Sequence, residues 1–94
     1  MIEGYLYILT NKNKTVLYIG ATKDLKKRVS LHIDGKAAKF TKKYSVNELM
    51  YFEKYSNFHE AFSREKQLKN WHKEWKWNLI KSKNPQLKNL YLEL

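Results

Sequence analysis

The sequence of 94 residues contains no cysteine, one proline and three glycines. Without cysteine the protein forms no disulfide bond, and it has neither a thiolate nucleophile nor a zinc site built on cysteine. The small number of proline and glycine residues leaves little room for flexible linkers, and the chain shows no internal repeat. Because a typical domain has roughly 100 residues or more, we predict a single domain over residues 1–94.

Long hydrophobic runs are missing as well. No apolar stretch approaches the roughly 20 residues that a membrane-spanning helix requires. The amino terminus, Met1-Ile2-Glu3-Gly4-Tyr5, lacks the basic region and apolar stretch of a secretory signal. We therefore expect a soluble, cytoplasmic protein that has no membrane partner.

Acidic residues are scarce, with 9 Asp and Glu against 19 Lys and Arg and a formal net charge of +10. Hydrophobic residues nevertheless make up 43% of the chain, which is more than a disordered basic tail would carry. A folded domain with this excess of positive charge indicates a polyanionic partner, and nucleic acid is the leading candidate. The segment from Lys23 to Lys43 alone contains eight basic and two acidic residues, which gives it a net charge of +6.

Two segments near the amino terminus predict a β-hairpin. Residues 4–10 and 15–20 are rich in aromatic and β-branched side chains, and polar residues between them supply turn chemistry. Because side chains alternate across a strand, Leu6 and Ile8 share one face of the first strand, with Tyr7 on the other. We expect aliphatic side chains to cover one face of the hairpin, and Tyr7 and Tyr18 to lie on the opposite face.

The next segment predicts a helix followed by a basic connection. Asp24 is a candidate N-cap for a helix over residues 25–33, whose apolar positions recur every fourth residue. Arg28 and His32, also four residues apart, form a neighbouring row on this helix. Gly35 is predicted to end the helix, and the basic stretch that follows is a loop or a short helix.

The second half of the chain predicts a strand and then a long helix. Residues 46–55 have the composition of a third strand. Asn57 and Glu60 resemble a capping box that opens an amphipathic helix. Its pattern continues toward Ile80, and Asn84-Pro85 closes it because the residue before proline is pushed out of the helical region.

Glu65 is the carboxylate that this helical pattern turns inward. It lies four residues after Ala61 and three before Leu68, on a stripe where a charge is costly unless it is paired or bound to a metal. A pair with Lys69, four residues later, is one way to satisfy the charge. A metal ion is the other, since a carboxylate oxygen is a hard ligand that suits Mg²⁺.

The three tryptophans of this region are predicted to pack in the core or between helices rather than to stack on bases. Trp77 falls off the line that joins Trp71 and Trp75, so we predict that it is the most exposed of the three. His59 and His72 are expected to be solvated helix residues.

Two short motifs organise the candidate site residues. Tyr5-Leu6-Tyr7 is followed, after ten intervening residues, by Tyr18-Ile19-Gly20. The pair is similar to the motifs that name the GIY-YIG endonucleases, although Tyr and Leu take the places of Gly and Ile in the first motif. The resemblance extends from about Tyr5 to Pro85 and is greatest to the compact stand-alone bacterial members. The other positions that carry it are Thr22, Arg28, His32, the run Arg64–Lys69 with Glu65, and Asn84-Pro85.

This resemblance implies a fold and an activity. The implied fold is α+β, a small central three-stranded antiparallel sheet flanked by helices. The implied activity is that of a metal-dependent endonuclease that hydrolyses DNA phosphodiester bonds with Mg²⁺ or Mn²⁺ and needs no small-molecule cofactor. No separate recognition domain fits in the chain, so we expect low sequence specificity or selection of a DNA structure, with RNA left open as a substrate. We expect a monomer or a weak homodimer.

The resemblance also implies roles for two charged residues. Glu65 corresponds to the metal ligand, and Mg²⁺ is commonly held by one or two carboxylates together with waters and substrate phosphate. Arg28 corresponds to the residue that stabilises charge on the scissile phosphate, a role that suits its permanently charged, forked guanidinium.

Tyr7 and Tyr18 resemble two tyrosines of the family's site, one proposed as general base and the other as an orienting group. A phenol titrates near pH 10, so general-base catalysis needs a nearby cation or metal-bound water. The sequence does not decide between the two, and we favour Tyr7 as the base, with Tyr18 positioning water or phosphate. His32 either orients a tyrosine or contacts phosphate. Asn84 is similar to a late asparagine that supports the site.

An alternative function fits the same composition, namely a non-catalytic nucleic-acid-binding module that keeps the fold. The combined presence of Tyr7, Tyr18, Arg28 and Glu65 favours the enzyme, because a binding module has little reason to keep a carboxylate on a buried stripe. In either case the surrounding lysines are predicted to contact the nucleic-acid backbone. These are Lys26, Lys27, Lys39, Lys42, Lys43, Lys66 and Lys69.

Overall fold

The computed structural model describes residues 3–94 and shows a three-stranded antiparallel sheet with helices on both faces, so the predicted α+β fold is confirmed. The strands are β1 (Gly4–Thr10), β2 (Leu17–Thr22) and β3 (Glu48–Tyr55), and their order across the sheet is β2-β1-β3. The helices are α1 (Leu25–Ile33), α2 (Lys39–Lys43), α3 (Phe58–Lys69) and α4 (Lys73–Lys83), followed by a 3₁₀ turn at Leu90–Glu93. Over these described residues, no helix has the length and apolar character to cross a membrane.

The hairpin at the amino terminus forms as predicted, but its second strand begins two residues late, at Leu17. The side-chain oxygen of Asn11 accepts hydrogen bonds from the backbone N–H groups of Thr15 and Val16, at 2.8 and 3.2 Å. These bonds hold the segment in a loop, so the prediction that the strand starts at Thr15 is wrong.

The third strand begins at Glu48 rather than at Val46. Ser45 has a φ of +53°, and the backbone N–H of Val46 donates to the carbonyl oxygen of Thr41 at 2.9 Å. The chain therefore completes a turn after α2 before it enters the sheet, and Val46 is buried in the core outside the strand ladder.

The alternation of side chains along β1 divides the core into two clusters, one on each face of the sheet. Leu6 and Ile8 pack with side chains of α3 and α4. Tyr7 and Leu9 pack on the opposite face with side chains of α1, and Tyr18 lies against that same cluster. The predicted separation of aliphatic residues from Tyr7 and Tyr18 is confirmed.

Helix α1 has the predicted bounds, residues 25–33. Asp24 caps it, because its carboxylate accepts the backbone N–H of Lys27 at 3.2 Å. Gly35 ends it with a φ of +73°, a left-handed conformation that glycine adopts without steric cost. Before the helix, the hydroxyl oxygen of Thr22 accepts the backbone N–H of Asp24 at 3.1 Å and orients the turn that leaves β2.

The predicted long helix is instead two helices. Asn57 caps α3 as predicted, since its side-chain oxygen accepts the N–H three residues later at 2.9 Å, but α3 ends at Lys69 and α4 begins at Lys73. The backbone N–H groups of Asn70 and Trp71 each donate to a carbonyl three residues back, at 3.2 and 3.0 Å. This tighter turn ends the α-helical ladder and lets the chain change direction, so both helices contribute apolar side chains to one cluster.

The break between the helices also changes the exposure of the tryptophans. Trp75 is 53% exposed, whereas Trp71 and Trp77 are partly buried against the core. The prediction that Trp77 is the most exposed is wrong, because α3 and α4 do not share one helical phase. His59 and His72 are exposed, as predicted.

A charged network fastens α3 to β3. The Glu53 carboxylate accepts hydrogen bonds from Nε and Nη2 of Arg64, at 3.0 and 3.2 Å, and from the hydroxyls of Tyr51 and Tyr55. Burial acts to raise the pKa of Glu53, but the hydrogen bonds from Arg64 and the two tyrosines outweigh it and the pKa is lowered. The network attaches α3 to β3 and so contributes to the stability of the fold.

We expect Arg64→Met to lower the free energy of unfolding by about 2–4 kcal/mol, because it leaves the partly buried Glu53 carboxylate without its cation. Denaturant titration measures the change. Lys54→Met is the matched control, since Lys54 pairs with Glu3 at 2.7 Å on the surface and its removal is expected to leave stability unchanged. Equal losses in the two variants would contradict a special role for the Arg64 network.

Candidate active site

The site begins where Tyr7 of β1 faces Gly20 of β2. The two residues are paired in the sheet, and the ring of Tyr7 lies so close over Gly20 that a β-carbon there would stand 2.5 Å from Cζ of the tyrosine. The absence of a side chain at Gly20 therefore gives Tyr7 the space to reach across β2. Tyr18 lies on the same face, with its ring centroid 6.4 Å from that of Tyr7.

A chain of hydrogen bonds runs from Tyr7 through α1 to α2. Oη of Tyr7 lies 2.8 Å from Nε2 of His32, and Nδ1 of His32 lies 2.9 Å from Oγ1 of Thr41. The Thr41 hydroxyl donates its single proton to the carbonyl oxygen of Ala38 at 3.1 Å. Thr41 therefore accepts the Nδ1–H of His32, which leaves Nε2 without a proton and makes it the acceptor for Tyr7.

Burial sets the protonation of this pair. Burial raises the pKa of Tyr7 to about 12, although the side chain of Arg28 acts to lower it. Burial also lowers the pKa of His32 to about 4, with the positive charge of Arg28 as the second cause. Near neutral pH the tyrosine is therefore protonated and the histidine neutral, in agreement with the direction of the hydrogen bond between them.

Arg28 lies on α1 and interacts with both tyrosines. Its interaction with the Tyr7 hydroxyl is the main cause that raises the pKa of Arg28, and Tyr18 acts in the same direction. Arg28 and Lys27 also line a shallow depression on the surface. The guanidinium of Arg28 therefore interacts with the buried Tyr7 and the partly buried Tyr18, and it also lines a depression that is open to solvent.

Glu65 comes from the middle of α3, and its side chain is 13% exposed. Its negative charge is one of the causes that raise the pKa of Tyr7, so α3 brings this carboxylate within electrostatic reach of the tyrosine. The carboxylate also pairs with Nζ of Lys69 at 2.5 Å. This is the pair that the sequence offered as one of two ways to satisfy the charge of Glu65.

The donor set around Glu65 suits only some metals. Within residues 3–94, no three His, Cys, Asp or Glu side chains lie together in a group that could hold a metal ion. Structural and catalytic zinc sites need three or four protein ligands, whereas Mg²⁺ keeps several waters and shares one or two carboxylates with substrate phosphate. The single carboxylate of Glu65 therefore fits Mg²⁺ or Mn²⁺, which would displace the ammonium group of Lys69.

Asn84 is placed by the structure at another point of the fold. Its side-chain nitrogen donates to the carbonyl oxygens of Met50 and Lys88, at 3.0 and 2.9 Å, and its oxygen accepts the N–H of Lys88 at 3.0 Å. Met50 is the residue skipped where the register between β1 and β3 shifts. These bonds attach the chain after α4 to β3, and they do not bring Asn84 to the tyrosines.

The seven lysines predicted to contact the backbone are all exposed. Five of them lie on α1 and α2, which contact each other. The other two are on α3, where Nζ of Lys66 lies 4.4 Å from the centroid of the Phe62 ring and Lys69 pairs with Glu65. Most of the predicted backbone contacts therefore lie on α1 and α2.

Thr41 is the residue of this cluster that the sequence did not predict. It is buried although the residues on both sides of it are exposed, and its hydroxyl fixes the tautomer of His32. The two residues are nine positions apart across an irregular segment, so no strand or helix spacing connects them. A buried threonine in an exposed basic helix is the signal that identifies it, and this signal exists only in the structure.

The protonation of His32 predicts a dependence of stability on pH. The folded-state pKa of about 4 lies below the ordinary value of 6.5, so the unfolded chain takes up a proton first as the pH falls. Stability is full above pH 6.5 and is lost toward pH 4, with a loss of about 2 kcal/mol between roughly pH 7 and pH 5. Denaturant titration at these two pH values measures it. His32→Gln is expected to remove this part of the slope, and the exposed His59→Gln to keep it; equal slopes in all three proteins would contradict the assignment.

Comparison with known proteins identifies the family of this chain. A family model described as the GIY-YIG catalytic domain matches residues 3–78. A UPF0213 protein of Clostridium perfringens is 39% identical over 91 residues, which cover 97% of each chain. A UPF0213 protein of Pediococcus pentosaceus is 38% identical over 91 residues, which cover 96% of this chain and 95% of the relative.

A solved structure has the same fold. The solution NMR structure of a UPF0213 protein from Bacillus halodurans superposes with a TM-score of 0.58 at 29% identity, over 93% of this chain and 92% of that one. The residues matched by the family model include Tyr7, Tyr18, Arg28 and Glu65 and end before Asn84. The chain therefore belongs to the GIY-YIG family and to its small bacterial UPF0213 proteins.

Proposed function

We propose that this protein is an endonuclease that hydrolyses DNA phosphodiester bonds with Mg²⁺ or Mn²⁺. The observation that carries the proposal is the meeting of two tyrosines, one arginine and one carboxylate from four separate elements, β1, β2, α1 and α3. Membership of a family whose domain is described as catalytic supports a nuclease-like activity.

The proposed roles follow from what the reaction needs. Phosphodiester hydrolysis requires positive charge at the phosphoryl oxygens, an activated water and help for the leaving oxygen. In our proposal Arg28 binds a phosphoryl oxygen, and Glu65 holds the divalent cation. Such a cation supplies Lewis acidity at the phosphate and favours the ionisation of bound water.

Tyr7 is our candidate for the general base, and Tyr18 for the group that positions water or phosphate. Nε2 of His32 accepts the hydrogen bond of Tyr7 and so orients its hydroxyl. With a pKa of about 12, Tyr7 needs added positive charge to lose its proton. Because the charge of Glu65 is one cause of that raised pKa, neutralising this carboxylate lowers the pKa of Tyr7.

The remaining predicted residues are given supporting roles. Asn84 is proposed as a positioning residue, since its three hydrogen bonds hold β3 to the end of the chain. The lysines of α1 and α2 are proposed to contact phosphates of the backbone, so binding is expected to weaken as salt concentration rises.

Nicking assays test the proposed activity. The substrates are a supercoiled plasmid and a single-stranded circular DNA, each incubated with the protein in Mg²⁺, in Mn²⁺ and in EDTA. We expect cleavage products with either metal and none in EDTA. Binding without cleavage of either DNA in any metal would overturn the proposal and favour a binding module.

A further inference from the structure

A series of aromatic rings runs from the candidate site to the surface of α2. The ring of Tyr18 stacks with that of Phe40, at a centroid distance of 6.2 Å and an interplanar angle of 27°. Phe40 in turn contacts Tyr44, with centroids 4.9 Å apart. The inner end of the series is within the site, because Tyr18 also lies 5.1 Å from the ring of His32.

The outer rings are exposed in a strongly basic environment. Phe40 is 41% exposed and Tyr44 44% exposed, although both are large apolar side chains. Between residues 35 and 47 there is no acidic residue, and Nζ of Lys43 lies 5.3 Å from the centroid of the Tyr44 ring. The exposed lysines of this segment are Lys36, Lys39, Lys42 and Lys43.

We propose that the site takes DNA whose bases are unpaired, and that these bases stack on Phe40 and Tyr44 while the neighbouring lysines contact the phosphates. This inference rests on the proposed nuclease function and names its substrate class. Aromatic platforms flanked by cations are what proteins use to bind single strands, since every base has a π-face and every nucleotide a phosphate. In a duplex the base faces are covered by their neighbours, so an exposed ring has nothing to stack on.

Other exposed aromatic residues lack this connection to the site. Trp75 is 53% exposed, but its ring contacts are with Trp71 and His72. Phe62 is 38% exposed and stacks with Phe58 on α3. Trp75 is therefore a matched control, an exposed ring on a different helix with no ring contact to the candidate site.

Binding of oligonucleotides without metal tests the inference. Fluorescence anisotropy in EDTA measures the affinity for a labelled 20-nucleotide strand of thymidines, for a duplex of the same length, and for a strand in which the bases are replaced by abasic sites. We expect the wild type to bind the thymidine strand more tightly than the other two. Phe40→Leu and Tyr44→Leu are each expected to lose about tenfold in affinity for that strand, whereas Trp75→Leu loses none.

The abasic strand separates stacking from a structural effect. Phe40→Leu is expected to bind it as the wild type does, because no base is left to stack. Equal loss on both strands, or equally tight binding of the duplex by the wild type, would overturn the proposal. Thermal unfolding of each variant establishes that it is folded, and Tyr44→Leu provides the second test if Phe40→Leu is not.

The outcome is independent of the nuclease assay. If the wild type cleaves no DNA but shows these affinities, the proposed stacking surface stands and the proposed nuclease activity is wrong. If Phe40→Leu binds the thymidine strand and cleaves single-stranded circles as the wild type does, the proposed nuclease activity stands and the proposed stacking surface is wrong.

Discussion

In Glu65→Gln, metal-dependent cleavage is expected to fall by about 1,000-fold or more, while affinity for DNA stays the same or rises. The substitution keeps the shape of the side chain but removes the charge that, in our proposal, holds a divalent cation, and several kcal/mol of transition-state stabilisation are expected to be lost with it. We expect affinity to survive because the substitution removes a negative charge from the surface that we propose binds DNA. Nicking rates in Mg²⁺ and anisotropy in EDTA measure the two quantities separately.

Glu60→Gln is the matched control for this result. Glu60 lies in the first turn of the same helix, is exposed, and makes its side-chain contact with Ser56 rather than with the site. We expect it to cleave at the wild-type rate. Undiminished cleavage by Glu65→Gln would show that Glu65 is not a metal ligand. The ion pair with Lys69 would then fully account for a charge at this partly buried position.

Arg28→Lys is expected to reduce the cleavage rate by about 100-fold, with a much smaller effect on the affinity for DNA. Lysine keeps the positive charge but loses the rigid fork of donors, and removing one preorganised donor from a developing anion has an effect of this size. Since the two tyrosines interact with Arg28, its replacement also changes the field at Tyr7. Rates over a range of pH are therefore part of the measurement.

The other arginine of the chain provides the contrast. Arg64 is bound to Glu53 of β3 rather than to Tyr7 or Tyr18. Arg64→Met is therefore expected to lose stability while it cleaves at the wild-type rate at temperatures where it is folded. Arg28→Lys is expected to show the reverse pattern. Loss of activity without loss of stability in both variants would contradict the division of roles between the two arginines.

Features that depend on a few neighbouring residues were predictable from the sequence. The cap at Asp24, the helix end at Gly35 and the alternation that sends Tyr7 to the opposite face from Leu6 all follow from local rules. The meeting of Arg28 with Tyr7 was implied by the resemblance to the GIY-YIG endonucleases and does not follow from these local rules alone.

Features that depend on packing across the fold were not predictable. The chain between α3 and α4 has no proline or glycine, and the helix ends because Leu68 and Ile80 can then be buried in the same cluster. His32 and Thr41 are in contact although an irregular segment separates them in the chain, so no periodic pattern in the sequence predicts this contact. For Glu65 the sequence offered a lysine partner or a metal, and the pair with Lys69 is present while the metal is our proposal.

Because His32 donates a hydrogen bond to Thr41, the number of residues between them is constrained more strongly than the identity of those residues. The imidazole binds Tyr7 through one nitrogen and α2 through the other, at 2.8 and 2.9 Å. A residue inserted in this connection would shift α2 and break the hydrogen bond that keeps the proton of His32 on Nδ1. Substitution of exposed residues in the same connection leaves both hydrogen bonds of His32 intact. Relatives that share this arrangement are therefore expected to tolerate insertions in the hairpin loop at residues 11–16, and to keep eight residues between the histidine and the threonine.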